Sequence, residues 1–264
     1  MRTGIAGRLA LVTAASRGLG FASAAALRGE GADLLICARD AARLEDAAAQ
    51  LRAVPGAGRV ECVTCDVADD EAGAALEAAC ASAFGRSPAL LVCNAGGPPP
   101  GLFESLDDEA WRRGFDLSFL STARLLRRFG PLMAQSGYGR IVTITSATVL
   151  RPLDGLTLSN VVRPAVAALV REVAPRWAPH GVTVNNVAPG FTRTERVEAL
   201  VRAQAAFAGI NEEAARATRV AAIPAGRMGE PDEFAAVVTF LCSEPAGYVT
   251  GQTIAVDGGF SIPR

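Results

Sequence analysis

The chain has 264 residues and not one lysine: all 26 of its basic residues are arginine. It holds a single histidine, two tyrosines and two tryptophans. The absence of lysine excludes any site built on a titrating side-chain amine, because a guanidinium stays protonated in proteins. The scarcity of tyrosine and histidine leaves few groups that could act as a general acid. A formal net charge of −1 gives no electrostatic footprint for nucleic acid or an anionic membrane. No apolar run approaches the ~20 residues of a membrane span, and no charged-then-apolar leader pattern opens the sequence. The expectation is a cytoplasmic protein with neither a nucleic acid nor a membrane as partner. Cys62 and Cys65 form a lone C-x-x-C with no second Cys or His pair at zinc spacing, so no metal is expected. The six cysteines read as reduced, mostly buried thiols.

Half of the sequence is hydrophobic, enough for a sizeable core. Short β-type runs at Leu9–Thr13, Asp33–Ala38, Val60–Cys65, Ala89–Cys93, Arg140–Thr145, Val182–Val187 and Thr253–Val256 alternate with amphipathic stretches. The stretches include Ala41–Ala53, Glu71–Ala83, Leu120–Ala134 and Asp232–Cys242. Several runs are apolar throughout, as in strands covered on both faces. This pattern predicts an α/β fold: one Rossmann-type, doubly wound parallel sheet of about seven strands in a single domain over 1–264. The stretch 191–223 is long for a connection and carries helical apolar positions at Val197, Leu200, Val201 and Phe207. It reads as a substrate lid.

After the first run comes Thr13-Ala14-Ala15-Ser16-Arg17-Gly18-Leu19-Gly20. Gly18 and Gly20 would let the backbone approach a pyrophosphate at the N-terminus of the following helix. Thr13, Ser16, Arg17, Gly18, Leu19 and Gly20 are therefore candidate cofactor contacts. At the end of the second run, Ala38-Arg39 stands where a carboxylate would read the ribose hydroxyls of NAD. Arg39 and Arg17 suit a 2′-phosphate instead, which favours NADP(H).

With these motifs in place the sequence resembles the short-chain dehydrogenase/reductase family over nearly its whole length. Asp66-Val67 resembles the pair that holds the adenine, and Asn94-Ala95-Gly96-Gly97 the motif that closes the fourth strand. Pro189-Gly190 looks like the turn beneath the nicotinamide, with Thr192 and Thr194 placed for the carboxamide and pyrophosphate. Ile223–Arg227 and Gly251–Gly259 are similar to the 3-oxoacyl-(acyl-carrier-protein) reductase branch. The resemblance implies a homotetramer. Ala14 departs from the Gly usual in the family; an Ala is accommodated if φ is negative there.

The resemblance breaks at the chemistry. The family's Ser is retained as Ser146, but the Tyr position holds Ser159, the Lys position Arg163 and the Asn position Ser118. Arg163 could still bind the nicotinamide ribose and add positive charge, yet it cannot shuttle a proton. Serine is a far weaker acid than a phenol, and losing a tuned acid typically costs ~10²–10⁴ in rate. Tyr138, Tyr248 and His180 are not placed by the motifs to substitute, so the proton would come from water, from the substrate or from Asp154, which otherwise reads as a turn residue.

Three functions follow. The first is an NADPH-dependent carbonyl reductase, 3-oxoacyl reductase-like, in which Ser146 and Ser159 hold the carbonyl oxygen. Its small-molecule substrate would be apolar or acyl, set among Pro98, Pro99, Pro100, Leu102, Phe103, Leu150, Leu153 and Phe191. The second is a catalytically inactive NADP(H)-binding sensor, scaffold or partner subunit. The third is a lyase or isomerase that uses the pocket without net redox change.

Overall fold

The computed structural model describes residues 2–56 and 58–262. Seven parallel strands form one sheet in the order β3-β2-β1-β4-β5-β6-β7. They are β1 (Leu9–Val12), β2 (Asp33–Ala38), β3 (Val60–Thr64), β4 (Leu90–Cys93), β5 (Gly139–Ile144), β6 (Val182–Pro189) and β7 (Thr253–Val256). All seven expected strands are present, with ends shifted by at most two residues.

Side chains alternate across the pleat, so each strand feeds two cores. Ala10 and Val12 of β1, Leu34 and Ile36 of β2, and Val142 and Ile144 of β5 pack on one face. There they meet α1 (Gly18–Gly29), α2 (Ala41–Ala53) and, late in the chain, α9 (Pro231–Cys242). Leu9, Leu11, Leu35, Leu91 and Ile141 point the other way. They meet α3 (Ala72–Phe84), α5 (Ser121–Ser136) and α6 (Thr157–Trp177). Because both faces are covered, β1 and β4 are apolar throughout, whereas β5 and β6 bury Arg140, Thr143, Thr183, Asn185 and Asn186.

Helix α4 (Asp108–Phe115) runs into α5 through a π-helical turn, Asp116–Leu120. The segment 191–223 folds as α7 (Glu195–Ala208) and α8 (Glu212–Ala221). Val197 and Val201 are buried in a small third core with Phe191, Ile223, Met228 and Phe260. Phe207, expected on the apolar stripe, is instead 89% exposed. It lies one residue before the helix end at Ala208, past the last turn that faces the body.

Strand β1 has β2 on one side and β4 on the other, so the order reverses there. In open α/β sheets the crevice beyond the carboxyl ends of such strands is where ligands bind. No helix among the described residues is long and apolar enough to cross a membrane.

Candidate functional site

A cleft of about 840 Å³ opens at that switch point. Its floor begins with the turn after β1, where Ser16, Arg17, Gly18 and Leu19 line the cleft and Gly18 adopts φ +59°. Arg17 is the N-cap of α1 and is extended, with no side-chain cap. The first N–H groups of the helix are thus left for a ligand, at the positive end of its dipole.

Two residues of this turn act differently from expectation. Thr13 is fully buried and does not line the cleft: its hydroxyl donates to the Asn94 carbonyl (2.6 Å) and accepts from the Asn94 amide (2.9 Å). Gly20 also lies off the cleft, because its role is packing. A Cβ there would come within 2.5 Å of the Ala14 carbonyl oxygen. That carbonyl accepts from Asn94 Nδ2 (3.1 Å), so Asn94 ties the β1 and β4 loops together.

The condition under which Ala14 would be accommodated without strain, a negative φ, is not met: its φ is +47°, the left-handed region. Among the described non-glycine residues it alone has a positive φ. Such a conformation costs on the order of 1 kcal/mol in a residue with a Cβ. Ala14→Gly should therefore raise the thermal midpoint by about 2–4 °C. An unchanged or lowered midpoint in thermal unfolding would show that the turn stores no such strain.

At one end of the cleft Arg39 lies 3.7 Å from Asp66, and Arg43 lies 3.5 Å from Asp40. All four residues line the cavity, as do Val67, Asn94, Ala95 and Gly96. Arg17, expected to join Arg39, also lines the cleft but is ion-paired to Glu195 of α7. The partner of Arg39 at this end is Arg43, one helical turn further on, which the motif alone did not indicate.

The inner end is built from β5, α6 and the β6 loop. Ser146, Ser159, Arg163, Pro189, Gly190, Thr192 and Thr194 all line it. Ser146 Oγ accepts from the Thr148 amide (3.2 Å), which orients its hydroxyl and leaves its proton available to a ligand. Ser159 lies two residues into α6, 7% exposed, and Thr148 Oγ1 donates to its carbonyl (3.4 Å). Asn160 clamps the loop before α6 from both sides: its Oδ1 accepts from Leu153 N (3.0 Å), and its Nδ2 donates to Leu153 O (2.8 Å). Sequence reading passed over Asn160, because its role is a contact between loop and helix.

Arg163 is 8% exposed. Its Nη1 donates to the carbonyls of Thr145 (2.5 Å) and Ile144 (3.4 Å), while Nε has no partner. Burial, and secondarily the charge of Arg196, lowers its pKa to about 10. It remains a cation at neutral pH.

Ser118 is a correction. It is buried on the π turn with its hydroxyl unpartnered, and Leu117 lines the cleft in its stead. The extra residue of a π turn rotates the helix face that follows it.

The apolar wall also differs from the expected set. Leu153 and Phe191 line the cleft, but Pro98, Pro99 and Pro100 do not, and Leu102, Phe103 and Leu150 are exposed. Leu117, Leu156, Val197, Leu200 and Phe260 complete the wall. Phe260 follows the last strand by four residues, and only the tertiary fold brings it back against Phe191, ring centroids 5.2 Å apart.

The alternative acids stay away. Tyr138 lies between the guanidiniums of Arg8 (3.7 Å) and Arg140 (4.4 Å), Tyr248 and His180 are exposed, and Asp154 is exposed outside the cleft. Four of the six cysteines are buried and all are unpaired.

These residues fit a dinucleotide. One end offers two guanidiniums and the turn after β1 offers helix N–H groups, while Gly190 lines the cleft where packing leaves no room for a side chain. A Cβ on Gly190 would lie 2.6 Å from Asp257.

A family profile described as enoyl-(acyl carrier protein) reductase matches residues 13–261. The short-chain reductase protein NovJ of Streptomyces niveus is 36% identical over 253 residues, covering 95% of this chain and 93% of the relative. Galactitol 2-dehydrogenase (L-tagatose-forming) of Cereibacter sphaeroides is 34% identical over 260 residues, covering 97% and 96%. The structure of L-sorbose reductase from Gluconobacter frateurii, complexed with NADPH and L-sorbose, superposes with a TM-score of 0.93. Its identity is 30%, and each chain is covered to 100%.

Proposed function

Because the chain belongs to the short-chain dehydrogenase/reductase family, a family of nicotinamide-dependent oxidoreductases, we propose that it is an NADPH-dependent carbonyl reductase with an altered active site. The observation that carries this reading is the inner end of the cleft. Two hydroxyls, Ser146 and Ser159, and the buried Arg163 share one wall with the turn expected beneath the nicotinamide.

When bound, the cofactor supplies a hydride for the carbonyl carbon. Arg39 and Arg43 hold the 2′-phosphate, and the first turn of α1 holds the pyrophosphate. Asp66 and Val67 hold the adenine. Ser146 and Ser159 donate hydrogen bonds to the carbonyl oxygen as negative charge develops on it, and the fixed guanidinium of Arg163 adds positive potential. Neither serine is acidic enough to give up its proton outright, so the proton that completes the alcohol comes from water.

Loss of one neutral hydroxyl donor is worth roughly 1–1.5 kcal/mol. Ser159→Ala should therefore lower kcat about 10-fold while leaving NADPH affinity unchanged. Weaker NADPH binding, followed by nicotinamide fluorescence, would instead assign Ser159 to the cofactor.

A second reading, a nucleotide-binding sensor, scaffold or partner subunit without turnover, is favoured by one observation. None of the residues lining the inner end is an acid that titrates near neutrality. Titration with NADPH and NADH, followed by a panel of ketones, separates the two. Preferential NADPH binding with ketone-dependent oxidation supports the reductase. NADPH binding without any effect of ketones supports the sensor, and failure of both nucleotides to bind removes both readings.

A further inference from the structure

Charge is distributed unevenly along the cleft. Three carboxylates line it, Asp40, Asp66 and Glu195, and each is already taken by an arginine: Arg43, Arg39 and Arg17. Two lining arginines are left over, Arg163 and Arg196. Neither makes an ion pair with a described residue. They lie close enough for the charge of Arg196 to depress the pKa of Arg163, and burial depresses both.

Arg196 comes from the first turn of α7 and reaches across to the loop after β4. Its Nη2 donates to the Pro98 carbonyl (2.5 Å), and its guanidinium lies flat on Gly97, where a Cβ would meet it at 3.0–3.2 Å. The Pro98 carbonyl takes one of its five N–H donors. Arg163 contributes charge rather than a free donor, because its Nε is buried away from the cleft and has no partner among the described residues. Bringing two cations together in a partly desolvated site without a counter-charge is unfavourable, unless a ligand supplies that charge. The cofactor's own phosphates have other receivers, the N-terminus of α1 and the Arg39–Arg43 end.

We propose that Arg196, backed by Arg163, forms an anion subsite beside Ser146 and Ser159 that takes the carboxylate of an oxo-acid substrate. This rests on the carbonyl-reductase reading and names its substrate class. A carbonyl held at the serines leaves the substrate's carboxylate toward α7. The apolar residues Leu153, Leu156 and Phe260 then accept the rest of a short chain.

The test compares short-chain 2-oxo and 3-oxo acids with their methyl esters, on the full chain and on Arg196→Gln. Binding is read by calorimetry with and without NADPH, and turnover by NADPH oxidation. The acids should bind wild type about 10- to 100-fold more tightly than the esters, as for a charge-assisted hydrogen bond. Arg196→Gln should erase that preference through KM and the acid's Kd, with ester binding and NADPH affinity unchanged, and Arg196→Lys should restore part of it. Acid binding that depends on Arg196 supports the subsite even where no acid is reduced, in which case only the reductase reading fails. The subsite is overturned if esters bind as well as acids, if no acid binds at millimolar concentration, or if Arg196→Gln weakens NADPH instead. The last result would assign Arg196 to the cofactor's phosphates.

Discussion

Arg163→Met should cost about 10²–10³ in turnover while leaving stability nearly unchanged. The two halves of this expectation come from the same burial. A guanidinium at 8% exposure, with one nitrogen unpartnered and a second cation nearby, is a charge the fold holds at a cost. Methionine fills a similar volume without that charge. Replacing a buried ionic group by an apolar one of like size is often neutral or stabilising by about 1–4 kcal/mol. Against this stands the loss of two hydrogen bonds to the carbonyls of Thr145 and Ile144, roughly 1–3 kcal/mol. The two contributions largely offset each other, so the thermal midpoint should shift by only a few degrees in either direction. Turnover falls because the guanidinium is a fixed positive charge one helical turn from Ser159, and NADPH affinity should fall several-fold through the ribose. A midpoint lowered by ten degrees or more would identify Arg163 as a structural strut. Full activity in the variant would remove it from the mechanism.

The second large effect is a change of cofactor. Arg39→Asp should lower the ratio of NADPH to NADH affinity about 100-fold. One charge-assisted contact to the 2′-phosphate, about 1.5–3 kcal/mol, is lost. The new carboxylate would stand beside Asp66, now 3.7 Å from the guanidinium, so a phosphate would face two negative groups. The same carboxylate suits the free ribose hydroxyls of NADH. Arg43 remains at this end, so NADPH binding should weaken rather than vanish, and Arg39→Asp with Arg43→Ala should go further. Parallel fluorescence titrations measure the ratio directly. An unaltered ratio in Arg39→Asp would mean that Arg39 does not read the 2′-phosphate.

Strand and helix identity was legible because it is a local property. The β-type runs contrast with Ala-rich helical stretches, and strands buried on both faces are mostly apolar, any polar residue there needing a partner. The order of motifs was legible as well: Ser146, Ser159 and Arg163 are fixed by spacing along β5 and α6, and the structure brings them to one wall. The absence of lysine limited the chemistry before any fold was known, since no arrangement of arginines supplies a titrating amine.

Only the tertiary structure decided what depends on direction and on distant partners. The left-handed φ of Ala14 is imposed by the crossing of the β1 turn over Gly20 and Asn94, which no propensity of alanine signals. Thr13 and Gly20 serve packing, and Ser118 turns off the cleft, because a strand end, a helix crossing and a π turn set their orientation. Arg17 is claimed by Glu195 from a helix nearly two hundred residues away in sequence. Phe260 and Arg196 join the cleft only when the C-terminus and α7 fold back over it. Which charges cancel, and which two stay unpaired, is a property of the assembled cleft. Sequence counts charges, while their pairing is set by distances that exist only in three dimensions.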